Sequence, residues 1–104
     1  MNLELKDKII LVSGGAKGIG EGIVKVLASE GAIPVIIGRN EEDNLQLLKS
    51  IEAAGGKAFQ VVAELTKPDE CEKAVKTVID KFNRIDGLVN NAGVNDGVGL
   101  ENGN

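Results

Sequence analysis

The chain has 104 residues and a formal net charge of −4, with 12 basic side chains against 16 acidic ones. That length suits one domain, and the acidic balance argues against nucleic acid as a partner, because a phosphate backbone calls for a concentrated basic face. The absence of histidine, with Cys71 the single cysteine, excludes an internal disulfide, a four-ligand zinc site, and Ser-His or Cys-His nucleophilic pairs. No metal site is therefore expected.

The hydrophobic fraction is 42% with two phenylalanines as the aromatics, so the core is built from Val, Ile, Leu and Ala. That composition fits parallel strands buried on both faces. No run of about 18 apolar residues exists, which leaves no candidate membrane span. The stretch Met1-Asn2-Leu3-Glu4-Leu5-Lys6-Asp7 lacks the layout of a signal peptide. A cytoplasmic location, with no membrane partner, is the expectation.

Taken in order, Lys8 to Ser13 holds the apolar run Ile9-Ile10-Leu11-Val12 and predicts a buried strand. After a cluster of glycines, a helical period runs from about Gly18 to Glu30, with Ile19, Ile23, Val26 and Leu27 on one stripe. Gly31 ends it, as glycine does just past a helix. Pro34 to Gly38 predicts the second strand, with proline tolerated as its first residue. Asn40 is placed to cap a second helix whose first turn carries Glu41, Glu42 and Asp43, suited to the positive end of the helix dipole. Leu45, Leu48 and Ile51 form its stripe, and Gly55-Gly56 closes it.

The third strand is expected from Lys57 to about Ala63. Thr66 is placed to cap the third helix, with Pro68 in the first turn, where its missing N–H costs little. Cys71, Ala74, Val75, Val78, Ile79 and Phe82 recur at steps of three and four, the clearest helical signal in the chain. A fourth strand spans roughly Gly87 to Asn90. Val94 to Asn104 is rich in Gly and Asn and shows no period. Alternation with such short joints implies an α/β domain of parallel strands joined by right-handed crossovers.

Between the first strand and helix lies Ser13-Gly14-Gly15-Ala16-Lys17-Gly18-Ile19-Gly20. A helix start offers unpaired N–H groups and about +0.5 of partial charge, which favours a bound phosphate. Glycines are needed where the chain turns, where a pyrophosphate approaches the backbone, and where the helix packs on the sheet. The phosphate loop of ATPases is a poor match, because Lys17 precedes Gly18 and no hydroxyl follows it.

This loop resembles the Thr-Gly-x-x-x-Gly-Ile-Gly signature of short-chain dehydrogenases/reductases, with Ser13 in place of the usual Thr. Asn90-Asn91-Ala92-Gly93 matches the second signature of that family, at the end of the fourth strand. The resemblance covers the whole chain and implies the first half of a Rossmann-type doubly wound parallel sheet, with strand order 3-2-1-4. Residues 1–104 would then be a dinucleotide-binding domain, the catalytic half being absent. By position, Gly14, Ala16, Lys17, Gly18, Ile19 and Gly20 are implied to line the adenosine ribose and pyrophosphate. Glu64 and Leu65 are implied to sit beside the adenine, with Glu64 replacing the Asp that the family usually carries. Asn91, Ala92 and Gly93 are implied to pass beneath the cofactor.

Enzymes of this fold that use NAD usually carry an acidic residue at the end of the second strand, where it accepts from the ribose 2′-OH. Here that position is Gly38, followed by Arg39. With Lys17 on the facing loop, two cations are available to a 2′-phosphate, each worth up to roughly 4 kcal/mol before desolvation and screening. NADP is the expected cofactor and NAD the alternative. Against this stands a pairing of Arg39 with Glu41 or Glu42, or one of those carboxylates reaching a 2′-OH.

The family's Ser-Tyr-Lys catalytic set lies beyond the Asn-Asn-Ala-Gly signature, and this chain has no tyrosine. No catalytic residue is therefore assigned, and the 104 residues alone are expected to be inactive. The resemblance implies a parent oxidoreductase that moves hydride between a nicotinamide and a carbonyl or alcohol, acting on a small molecule as a homo-oligomer. A cofactor-binding or regulatory module without turnover is the competing reading. The segment Val94 to Glu101 is similar to sugar-dehydrogenase-like members, including those acting on fucose.

Overall fold

A short 3-10 turn, Leu3–Leu5, leads into β1, Ile9–Ser13. The chain then runs through α1 (Gly18–Ser29), β2 (Ile33–Gly38), α2 (Glu41–Ala53), β3 (Phe59–Val62), α3 (Pro68–Phe82) and β4 (Gly87–Asn90). This computed structural model describes residues 3–91. All three strand pairings are parallel and the sheet order is β3-β2-β1-β4, the order the resemblance implies.

Strand alternation sends side chains to two separate cores. Ile9, Leu11, Val35 and Ile37 pack beneath α3 against Ala74 and Val78. Val12 and Ile36 face the other way, against Val24 of α1 and Leu47 and Ile51 of α2. Burial on both faces explains why the strands read as continuous apolar runs. Val12, Val24, Val35, Ile36 and Val78 are fully enclosed. Each such side chain contributes about 1.5–3 kcal/mol relative to an exposed one.

Several local expectations are corrected. In α1 the contact line is Gly20, Val24, Ile23 and Leu27, while Ile19 and Val26 stand 58% and 61% exposed. In α2 the buried line is Asn44, Leu47 and Ile51, with Leu45 and Leu48 at its margins. Both shifts share a cause: the line starts at a residue that an apolar count passes over, a glycine in one helix and an asparagine in the other. Thr66 does not cap α3. Lys67 holds the cap position with no side-chain bond, Pro68 opens the helix, and the Glu70 carboxylate accepts from the Glu64 N–H at 2.6 Å.

β2 begins at Ile33, so Pro34 is its second residue. Ile33 donates to Lys8 O on the β1 side, at 2.8 Å. Alternation turns the Pro34 nitrogen toward β3, whose ladder with β2 starts one position later, at Val35 and Phe59. The missing N–H therefore costs no ladder bond. β3 is shorter than expected, its ladder ending at Val62. Asn40 caps α2 as expected, accepting from Asp43 N at 3.0 Å.

The amino end of the sheet is closed by backbone-like bonds. Asp86 N donates to Ile9 O, and the Asp86 carboxylate accepts from Ile9 N, both at 2.8 Å. Arg84 donates to the other carboxylate oxygen at 2.7 Å. The Arg84 hydrogen bond, helped by the one from Ile9, holds the Asp86 carboxyl below its ordinary value of 3.8.

Candidate functional site

The crossover after β1 carries the chain to β2 on one side, whereas the crossover after β3 returns it to β4 on the other. Such a reversal opens a crevice at the carboxyl ends of the two central strands. The β1–α1 loop lies across it. Gly14 and Gly18 adopt left-handed φ values of 67° and 58°, a conformation costly to any residue with a Cβ. Gly14 N donates to Ile37 O at 2.9 Å, tying the loop to β2. A Cβ on Gly20 would strike Gly14 O and Asn91 Nδ2, so the helix start sits directly against the loop. Lys17 caps α1 without a side-chain hydrogen bond, which leaves the positive end of this helix free of a protein anion at its cap.

Ser13 joins this loop to the end of β4. Its hydroxyl accepts from Asn91 N at 3.0 Å and donates to Asn90 Oδ1 at 3.0 Å. Asn91 Nδ2 donates back to Gly14 O at 3.4 Å. Ser13 and Asn91 are both buried, at 2% and 3% exposure. Neither Ser13 nor Asn90 was among the expected site residues. The signal was available, since the position that is Thr in the family signature and Ser here keeps a hydroxyl in both. Ala92 and Gly93 lie outside the described residues.

Two clefts flank the loop. One, of about 440 Å³, lies between the loop and α2 and is lined by Gly14, Ala16, Lys17, Gly18, Arg39 and Asp43. The other, of about 760 Å³, lies toward α3 and includes Ser13, Ile37, Glu64, Leu65 and Cys71. The structure thus brings most of the expected residues to one edge. Ile19, at the start of α1, is more than half exposed.

The charges pair differently from expectation. Arg39 reaches Glu64 at 3.6 Å, not Glu41 or Glu42, and Lys17 reaches Asp43 at 3.1 Å. Both cations remain about three-quarters exposed, at 77% and 74%. Exposed pairs of this kind are worth up to about 1 kcal/mol, so an arriving phosphate can displace either carboxylate. Glu64 offers little from its backbone, because Glu70 already holds its N–H.

Beneath the first cleft sits Asn44, fully buried, with its Oδ1 lacking any hydrogen-bond partner among the described residues. An unpartnered buried acceptor costs about 1–3 kcal/mol. Asn44 too was outside the sequence reading. Among the described residues, no group of three or more His, Cys, Asp or Glu side chains is placed to hold a metal ion. The donor set fits a dinucleotide: left-handed glycines, an uncapped helix start, and two exchangeable cations around an open cleft.

A parallel sheet in this order, with a glycine loop entering a helix at the reversal point, defines an α/β protein of the Rossmann type. Residues 8–103 match the family model for short chain dehydrogenase, and the chain belongs to that family. It is 37% identical over 94 residues to the 3-oxoacyl-(acyl-carrier-protein) reductase FabG of Chlamydia pneumoniae, an alignment covering 90% of this chain and 38% of the reductase. It is 39% identical over 90 residues to the cyclopentanol dehydrogenase of a Comamonas species, covering 86% of this chain and 36% of that enzyme. Among solved structures, an NADH-dependent reductase complexed with NAD superposes with a TM-score of 0.77 at 34% identity, covering 84% of this chain and 36% of that one. The chain therefore spans well under half the length of these relatives.

Proposed function

We propose that the whole protein is a nicotinamide-dependent oxidoreductase, and that residues 1–104 form its dinucleotide-binding Rossmann domain. The bound nicotinamide would donate or accept hydride at a carbonyl or alcohol carbon of a small-molecule substrate. The observation that carries this reading is the loop itself: Gly14, Gly18 and Gly20 at an uncapped helix start, wired to Asn90 and Asn91 through the Ser13 hydroxyl. Gly14, Ala16, Lys17, Gly18, Ile19 and Gly20 would hold the ribose and pyrophosphate. Glu64 and Leu65 would flank the adenine, and Asn91, Ala92 and Gly93 would support the cofactor from below. With no tyrosine in this stretch, its own part is binding and orientation, and proton transfer falls to other residues.

NADP(H) is the preferred cofactor in this reading, supported by the absence of a carboxylate at Gly38 and by the exposed ends of Lys17 and Arg39. One observation favours NAD(H) instead: Asp43 brings a carboxylate into the same cleft from α2, beside Lys17. Titration of the full-length protein with NADP+ and NAD+ separates the two. NADP+ should bind about tenfold more tightly, a difference of about 1.4 kcal/mol, and Arg39→Asp should reverse the order. An unchanged ratio in that variant would leave Arg39 as a surface charge. The reading extends to a cytoplasmic homo-oligomer acting on a sugar. It rests there on the family resemblance and on Val94 to Glu101, which lie outside the described residues. Among the described residues, no helix is long and apolar enough to cross a membrane.

A further inference from the structure

Asn44 sits in the first turn and a half of α2, directly under the cleft that Lys17, Arg39 and Asp43 line. Its Nδ2 donates to Gly38 O at 3.2 Å and to Gln60 Oε1 at 3.0 Å, with Val61 O at 3.4 Å. Those acceptors belong to the last residue of β2 and to the two middle residues of β3. Its Oδ1 faces Gly38, and a Cβ placed there would lie 2.7 Å from that oxygen, closer than real Cβ atoms approach. The oxygen cannot simply swing aside. Exchanging the two ends of the amide would set Oδ1 against three oxygen acceptors, and rotating it outward would abandon all three Nδ2 contacts.

We propose that Asn44 is a positioning residue that determines cofactor specificity from beneath the cleft. Its Oδ1 occupies the space that a side chain at position 38 needs, so the end of β2 presents no carboxylate to the adenosine ribose. Its Nδ2 meanwhile clamps the two strand ends from which Arg39 and Glu64 project. The proposal rests on the reading of this cleft as the adenosine site. It also gives the buried, unpartnered oxygen a role, because the favourable bonds of Nδ2 fix where Oδ1 must lie.

An acidic residue at the end of this strand is what selects a 2′-hydroxyl over a 2′-phosphate. If Asn44 blocks it, introducing the acid alone will not switch the cofactor. The test is a double-mutant cycle in the full-length protein: Gly38→Asp, Asn44→Ala and the two combined, each titrated with NAD+ and NADP+ and each melted. Gly38→Asp alone should lose at least about tenfold in affinity for both cofactors and lower the Tm. The combined variant should recover the Tm relative to Gly38→Asp and bind NAD+ about tenfold more tightly than NADP+.

A Gly38→Asp variant that keeps its Tm and prefers NAD+ unaided would overturn the proposal. So would a combined variant with the wild-type preference, since a purely structural role for Asn44 couples the melting temperatures without moving the cofactor ratio. If Gly38→Asp does not fold, Gly38→Ala with and without Asn44→Ala takes its place. Loss of Tm in the single variant and recovery in the pair, together with a preference for NAD+ in the combined Gly38→Asp and Asn44→Ala variant, supports the proposal, and either no recovery or the wild-type cofactor preference overturns it. Wild-type protein that binds neither dinucleotide defeats the adenosine reading itself, and is told apart because it shows before any substitution.

Discussion

The two ends of this sheet are finished in opposite ways. At the amino end, Asp86 pairs with Ile9 through both backbone and carboxylate, and Asp7 N donates to Gly31 O at 2.8 Å. These groups find their partners close by in the fold. At the carboxyl end, the chain accepts left-handed glycines, an uncapped helix and a buried amide oxygen with no partner among the described residues. The same strands thus terminate in closure at one end and in uncommitted polar groups at the other. The polar groups left open at the glycine loop and the α1 start lie beside the cleft between the loop and α2, whereas the Asn44 oxygen is enclosed beneath it.

The comparison breaks most sharply at Gly20. Gly20→Ala forces a methyl group into Gly14 O and Asn91 Nδ2, and should cost about 3 kcal/mol in urea unfolding while abolishing nucleotide binding. A variant of unchanged stability would mean the loop and helix are not in contact. Next in size is Ser13→Ala, which strands the buried Asn91 N–H. Unfolding should become about 2 kcal/mol easier, and Ser13→Thr should restore most of the loss. Equal effects of Ala and Thr would remove the hydroxyl from the account.

Two smaller effects sharpen the contrast. Gly22 lies in the same helix, and a methyl group there would meet nothing within 4 Å, so Gly22→Ala should stabilise by about 0.5–1 kcal/mol. The smallest effect belongs to the amino end. The Asp86 carboxyl is held below its ordinary value, so its contribution is present above that value and fades as pH falls through the lowered one. Asp86→Asn should therefore lower the Tm at neutral pH and narrow its difference from wild type in strong acid. A gap that widens on acidification would reverse the sign of that linkage.

Strand positions, sheet order and the glycine loop were legible because each is written in residue types that stand out: apolar runs, turn glycines, Asn40 at a helix start. β4 fell at Gly87–Asn90 as the pattern indicated. The helix faces were less legible. Gly20 and Asn44 begin the contact lines of α1 and α2, and neither adds to an apolar count. The ion pairs were hidden for a different reason. Arg39–Glu64 links the ends of two neighbouring strands, and Lys17–Asp43 spans the cleft, so neither follows from spacing along one helix. Asn44 acts through bonds to the neighbouring strands β2 and β3, and Ser13 through bonds that exist only once the distant strand β4 has met β1.

That last property has a consequence for assembly. The Ser13 hydroxyl and Asn91 N–H are 78 positions apart in sequence. Their bond forms only after β4 has docked on β1, past two intervening strands and three helices, and contacts of such separation are expensive in chain entropy. The junction of the glycine loop with β4 is thus among the last features of these four strands to be completed. A ligand that recognises it binds finished molecules and ignores partly folded ones, drawing the population toward closure by about 2.7 kcal/mol when present at a hundredfold excess over its Kd.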